Sequence, residues 1–336
     1  MATLKDIKGT NVQSIDGDPS NPLEGQLWYN SSTGNRVLKG RVFVPDAFST
    51  GGNLPQTVRQ NVGAGTQTAG LSSVGYSDAT AGYLSATNEY NGTSWTGGGT
   101  NPQTSRNSTG AGTQTAALSI GGIAASKPPI GTEEYDGSSW TSGGNLGSGG
   151  YDIGTTGPQT AALAFGRYIS DTSHNETQHY DGSSWSTPPA TLSTARRGPG
   201  NAAGTQTAGL CAGGGLSDAT QFTAVTEEYN GSVWTSGGSL SEAKRAGFSS
   251  GTQTAALIFS GVGPGIPRTS KTEKYDGTSW STSPATFPAT TVAGGDLSGA
   301  GSQTASASFG GSAPGSSAAT IEFDGGSFST VTIDVD

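Results

Sequence analysis

Cysteine, histidine and charge are all scarce in this chain of 336 residues. Cys211 is the single cysteine, so no intrachain disulfide can form and no cysteine metal cluster is available. Its setting, Leu210-Cys211-Ala212-Gly213-Gly214, reads as that of a buried structural thiol. Charged residues make up 12% of the chain, about half the usual share, which predicts a polar but nearly uncharged surface of Ser, Thr, Asn, Gln and Gly. The 16 Lys and Arg are outnumbered by 25 Asp and Glu and form no basic stripe, which speaks against nucleic-acid binding. Apolar runs of membrane-spanning length are missing, and so is the apolar segment of a signal peptide after Met1. Synthesis in a cytoplasm without membrane insertion is expected.

What the chain has instead is glycine, 56 residues, and repetition. Gly-Thr-Gln-Thr-Ala begins at Gly65, Gly112, Gly204 and Gly251, and variants begin at Gly157 and Gly301. The glutamines, Gln67, Gln114, Gln159, Gln206, Gln253 and Gln303, mark six copies of a unit of about 47 residues. Such a period signals a repeat architecture whose units bury their apolar faces against one another. The glycine content alone would suit a disordered chain, but the modest net charge of −9 and the regular aromatics argue for a packed fold.

A second element keeps step with the first. Tyr90-Asn91-Gly92-Thr93-Ser94-Trp95 is echoed at Tyr135 to Trp140, Tyr180 to Trp185, Tyr229 to Trp234 and Tyr275 to Trp280, and in altered form at Phe323 to Phe328. Asn-Gly and Asp-Gly tolerate positive φ at both central positions of a tight hairpin, so each motif predicts two antiparallel strands. Trp95, Trp140, Trp185, Trp234 and Trp280 thus share one structural role. Each repeat parses into four short strands: one near an Arg-containing run such as Thr104-Ser105-Arg106, then Gln114 to Ile120, Thr132 to Tyr135, and a fourth from Ser139-Trp140. Both faces of the second strand are small or apolar, which fits an inner strand covered on two sides.

A strand ending in Gly-Gly (Gly121-Gly122, Gly213-Gly214, Gly310-Gly311), a variable loop, Glu-x-Tyr-Asp and a following tryptophan resemble the kelch repeat. That resemblance implies an all-β fold, a six-bladed β-propeller with four-stranded blades, over residues 50–336. Residues 1–49 precede it as a small module, with strands at Gln26 to Asn30 and Arg36 to Val44 around a turn at Ser31 to Asn35. A hairpin is only marginally stable alone, so this one is expected to lean on other structure. Trp28-Tyr29-Asn30 faintly echoes the repeated turn, which keeps a seven-bladed ring open. The run Asn21 to Gly34 followed by Leu38-Lys39-Gly40 resembles a module near the start of bacteriophage virion and tail-fibre proteins. The style of the repeat is similar to theirs as well.

No catalytic, metal or cofactor site is specified by the residues. A copper radical oxidase on a kelch scaffold would need two histidine ligands and a cysteine-tyrosine cross-link, but Cys211 lies in the fourth repeat and both histidines, His174 and His179, in the third. At i and i+5 those two face opposite sides of an extended segment. Arg59, Arg106, Arg197 and Arg245 precede their glutamines by eight or nine residues, so they occupy one repeated slot and read as braces between strands. The six glutamines read the same way, as ties between neighbouring units. A sialidase would add an arginine triad and a tyrosine nucleophile, and its aspartate box places one residue between Asp and Gly, whereas here they adjoin.

Divergence between copies is concentrated after the second strand, in the segments that carry Tyr83, Lys127, Arg167, Tyr168, Phe222 and Arg268. Loops on a rigid scaffold are where binding residues concentrate, and aromatic and arginine side chains suit sugar or protein contact. The resemblance and these loops together imply a non-enzymatic virion protein. Its N-terminal module would meet other virion proteins, and its loops would meet a host-surface glycan or protein, in the manner of a tail-fibre or adhesin head. A homotrimer would suit that role. A capsid decoration or capsid-fibre protein is the alternative, ahead of a glycan-cleaving enzyme or a cellular kelch adaptor.

Overall fold

A computed structural model describes residues 12–32, 37–124, 130–198, 202–217, 221–265, 268–288, 296–312 and 315–333. These residues form strands and no helix, so none of them offers a helix long and apolar enough to cross a membrane. The chain divides into two compact units, one of residues 1–46 with 325–336 and the other of residues 47–324.

The first unit is a four-stranded sheet in the order Gln13–Ile15, Leu27–Asn30, Val37–Val44 and Ser327–Ile333. The expected hairpin is present as its middle pair, with Trp28 opposite Lys39. Its flanks differ from expectation: a short parallel strand covers one side, and the last strand of the chain covers the other. Trp28 is fully buried and donates its indole N–H to Asp18 at 3.1 Å. Asp18 also accepts from Asn30 at 2.8 Å and pairs with Lys39. Of the expected turn, residues 33–35 lie outside the described residues, as does Arg36, read as the start of the next strand.

The second unit contains six antiparallel sheets built on one pattern, an arrangement consistent with a β-propeller. The second repeat gives the pattern: Thr109–Thr113, Ala116–Ile120, Thr132–Tyr135 and Trp140–Ser142 lie side by side in that order. Gln114-Thr115 is therefore the turn between first and second strands, not the start of the second as its alternation suggested. The Arg-containing run is a separate strand, Ser105–Arg106, paired with Ile123–Ala124. The first strands of the other sheets are Val62–Thr66, Gly154–Thr156, Ala202–Thr205, Phe248–Thr252 and Ser298–Gly301. Each lies beside the first strand of the next sheet, and Ser298–Gly301 lies beside Val62–Thr66. The second strand is an inner strand, flanked by the first and third, and it is the first strands that meet between sheets. The second strand is nonetheless buried on both faces, as Ala117, Leu118, Ser119 and Ile120 illustrate.

The approach of neighbouring first strands explains part of the glycine content. A Cβ on Gly63 would stand 2.6 Å from the backbone nitrogen of Gly299, and one on Gly110 would collide with the carbonyl of Gly63. Only glycine lets two backbones come so near.

The turn between third and fourth strands has a different construction from the two-residue hairpin read from the sequence. Four residues separate Tyr135 from Trp140, and Gly137 has positive φ while Asp136 does not. Asp136 Oδ1 accepts the backbone N–H groups of Ser138 and Ser139 at 2.8 and 2.7 Å, so the side chain closes the loop. Asn91, Asp181, Asn230 and Asp276 repeat the device. Hydrogen bonds led by the Ser184 backbone N–H lower the Asp181 carboxyl to about 2, and those led by the Thr278 hydroxyl lower Asp276 to about 2.

The sixth copy departs furthest. After Phe323 to Phe328 no matching hairpin forms, because Ser327–Ile333 pairs with Val37–Val44 in the first unit. The fourth strand beside Thr320–Asp324 is Ala47–Thr50, brought from the other end of the chain. Phe48 stands opposite Phe323, the place tryptophan holds in the other copies, and packs on Phe259 and Phe287 at 5.1 and 5.4 Å.

Candidate binding site

Three sets of side chains tie sheets of the second unit to their predecessors. The amide nitrogen of Gln114 donates to the carbonyls of Gly70 and Tyr90 at 2.9 and 2.7 Å. Gln159, Gln206, Gln253 and Gln303 repeat this, and Gln67 reaches Phe323 of the sixth repeat at 3.0 Å. Trp140, Trp185, Trp234 and Trp280 donate their indole N–H to Thr87, Thr132, Thr177 and Thr226, and Trp95 donates to Thr320. Thr272, whose partner would be a sixth tryptophan, has an unpaired buried hydroxyl among the described residues.

The third tie runs from tyrosine to the preceding glutamate. Tyr135 donates to Glu89 at 2.6 Å, Tyr180 to Glu134, Tyr275 to Glu228 and Tyr90 to Glu322. Burial, and then the neighbouring carboxylate, push Tyr90, Tyr135 and Tyr275 up to about 12. His179 takes the glutamate's place in the third copy and bonds the Tyr229 hydroxyl at 3.0 Å, and burial lowers its basicity. No group of three or more His, Cys, Asp and Glu among the described residues could hold a metal ion. Cys211 is buried, which raises its thiol to about 11.

At the opposite end of the first strands lies a set of equivalent positions that borders one cavity, called here the left-handed ring. Gln60, Asn107, Asp152, Gly198, Ala246 and Asp296, one per repeat, all have left-handed backbones with φ between 53° and 56°. Their peptides are chained: Gln60 N–H donates to Asp296 C=O at 3.1 Å, Asn107 to Gln60 at 3.0 Å and Asp152 to Asn107 at 3.4 Å. Gly198 then donates to Asp152 at 2.8 Å and Ala246 to Gly198 at 3.3 Å. These residues border a cavity of about 160 Å³ whose wall also includes Asn61, Arg245 and Phe248.

The four polar members of the ring are partly paired. Asn107 Nδ2 donates to Asp152 Oδ1 at 2.6 Å, and Gln60 Nε2 donates to Asp296 Oδ2 at 3.4 Å. Arg59 lies 3.9 Å from the Asp296 carboxylate. Asp152 is half-buried and lines the cavity, which partly encloses its carboxyl. That enclosure raises its carboxyl above the ordinary range, against the pull of Asn107 and Arg245.

The repeated arginines immediately precede ring positions, and their guanidinium groups lie over aromatic rings. Arg59 and Arg106 cover Tyr76, Arg106 also lies 5.8 Å from Tyr83, Arg197 is 3.9 Å from Tyr168, and Arg245 is 5.9 Å from Phe222. The three aromatic residues singled out in the divergent segments thus each lie beside a repeated arginine. Tyr83 and Phe222 are half-buried, while Tyr168 is buried and edge-on to Tyr151 at 5.5 Å.

The remaining candidates are placed differently. Arg167 is buried and donates to Gly149 C=O, to Glu176 at 3.0 Å and to His174 Nδ1 at 3.2 Å, a cluster of its own. Arg268 is half-buried, and Lys127 lies outside the described residues. Sequence reasoning missed the left-handed ring. The available signal was the position after each repeated arginine, where Gln60, Asn107, Gly198 and Ala246 differ while the frame around them repeats.

No protein-family model matches this chain, and no curated protein matches it either.

Proposed function

We propose that the second unit is a closed six-bladed β-propeller of the kelch-like type, and that the protein is a bacteriophage virion component whose propeller binds a host surface. Supporting the closed ring are the ties from Trp95, Tyr90 and Gln67 to the sixth repeat, together with Ala47–Thr50 completing its sheet. Joining first and last repeats through a strand from the other terminus would lock such a ring against opening.

One observation carries the binding role. The ties between sheets repeat almost unchanged, whereas the aromatic rings and left-handed residues at the other end of the same strands differ from copy to copy. A frame that is copied and an end that is varied is what recognition on a rigid scaffold requires. Repetition of the protein on a particle would let weak single contacts sum by avidity. In this reading the first unit joins other virion proteins and the protein is not an enzyme.

Antibody-gold microscopy of particles of the phage that encodes the chain tests this. Label at tail or fibre tips is expected. Label spread over the shell would replace host binding by capsid decoration, and label on no particle would end the virion reading.

A further inference from the structure

We propose that Arg197 and Arg245, whose side chains meet over Gly215, form a clamp for the anionic group of an acidic sugar, a carboxylate or a sulfate. This rests on the host-surface reading and names the chemistry of what that surface presents.

Other cations of the chain show how a structural charge is answered here. Arg196 is fully buried and paired with Glu227, and Lys244, 1% exposed, lies 3.1 Å from Glu273. Arg59 is answered too, by Asp78 at 3.1 Å. Arg197 and Arg245 each directly follow one of the buried cations, yet their guanidinium groups make no hydrogen bond or ion pair among the described residues. Arg197 is only 8% exposed, and a charge so enclosed is costly unless something answers it. The Tyr168 ring at 3.9 Å supplies part of that answer. The Nε atoms of both arginines are fully buried, whereas their Nη nitrogens are not enclosed in that way and are the ends left open to a ligand.

Gly215 lets the two side chains meet. A Cβ there would stand 2.7 Å from Cδ of Arg245 and 3.3 Å from Cγ of Arg197, so both stems run past one point. Tyr168 lies under one guanidinium and Phe222 beside the other at 5.9 Å, which fixes their planes. Two planar groups so held suit an oxyanion, which supplies acceptors and opposite charge together, where a neutral sugar supplies acceptors alone. Asp152 feels both arginines through space but pairs with neither, its Oδ1 being bonded by Asn107, and Asp171 is turned to the Tyr168 hydroxyl at 3.4 Å. Gly215 pairs with Arg197 on one side and Phe222 on the other, so no strand edge is open there to an acidic peptide.

The test is saturation-transfer NMR on the purified protein at low salt with methyl glucuronide, a glucose sulfate ester, neutral methyl glucoside and hexaglutamate. At least one acidic sugar should bind, the two probes showing which anion fits, and the glucoside should give no signal. Binding should weaken as sodium chloride is raised. Arg245→Gln should weaken it about tenfold, the worth of one charge-assisted bond. Gly215→Ala keeps every charge but pushes the Arg245 stem aside, and should weaken it as well. Lys271→Gln removes a positive charge outside the clamp and should leave binding as it is. An unchanged melting temperature checks each fold, and if a variant unfolds, the wild-type comparison of acidic with neutral sugar decides alone. Silence from both acidic sugars, an equal signal from the glucoside, tighter binding of hexaglutamate, or binding that survives both clamp variants overturns the proposal. Attachment to host cells separates the two claims. Attachment retained in both variants removes the clamp and keeps the host-surface reading, while no attachment by the wild type removes that reading and leaves the NMR result to stand alone.

Discussion

The two ends of the six first strands in the second unit were built by one duplication and have diverged in opposite ways. At the glutamine end, every copy carries the same amide making the same two bonds to the preceding sheet. At the left-handed end, the backbone is repeated to within a few degrees of φ while the side chains run Gln60, Asn107, Asp152, Gly198, Ala246 and Asp296. The difference teaches where each kind of information is stored: side-chain identity holds the frame at one end, and backbone conformation holds it at the other. Side chains freed from that duty can specialise.

Substitutions should therefore split by end. The largest loss is expected at the frame: Trp140→Ala removes a buried ring packed on Tyr135 at 4.9 Å and its bond to the hydroxyl of Thr87, which keeps Ser73 as a partner. It should cost about 3–5 kcal/mol in urea unfolding. Gln159→Ala deletes two bonds, to Ala117 and Tyr135, and should cost about 1–3 kcal/mol.

The titration of the frame sharpens the comparison further. Tyrosines pushed up to about 12 contribute stability that is complete below about 10, their unfolded value, and is lost as pH rises through 12. Asp181 and Asp276, lowered to about 2, contribute stability above about 4 that is lost as pH falls through 2. Melting temperature against pH should show a plateau between those limits, and Tyr135→Phe should lower the plateau and make its alkaline fall shallower while leaving the acid edge in place. The smallest effect belongs to the other end. Asp296→Asn, at a half-exposed left-handed site that asparagine tolerates, should shift stability by under about 0.5 kcal/mol.

Much of the frame was legible before any coordinates. Gln114, Tyr135 and Trp140 announce themselves because a repeated contact demands a repeated residue. The strand boundaries were less so: alternation through Gln114 to Ile120 looks like a strand from its first residue, and only the pairing of Thr113 with Ala116 reveals the turn. Pairing over long distance left no local trace at all. Nothing around Phe48 says that it will take the place of a tryptophan opposite Phe323, more than 270 residues away.

The candidate site was legible in part. Tyr83, Tyr168 and Phe222 stood out as divergent aromatics, but their gathering over Arg106, Arg197 and Arg245 depends on the curl of segments that share no sequence. The ring itself was hidden because five of its six members are not glycine. Positive φ at Gln60 or Ala246 is imposed by the surrounding hydrogen bonds rather than by residue type, so a reading that looks for glycine at such positions passes over them.

The division of labour between the two ends is tested most directly by competition for host attachment. Under the proposed virion role, cells are preincubated with purified protein, and adsorption of the phage that would carry it is counted. Wild type and Gln159→Ala, compared at equal folded concentration, should both block adsorption, while Ala246→Asn should not. Equal blocking by all three, or blocking lost only with Gln159→Ala, would contradict the account.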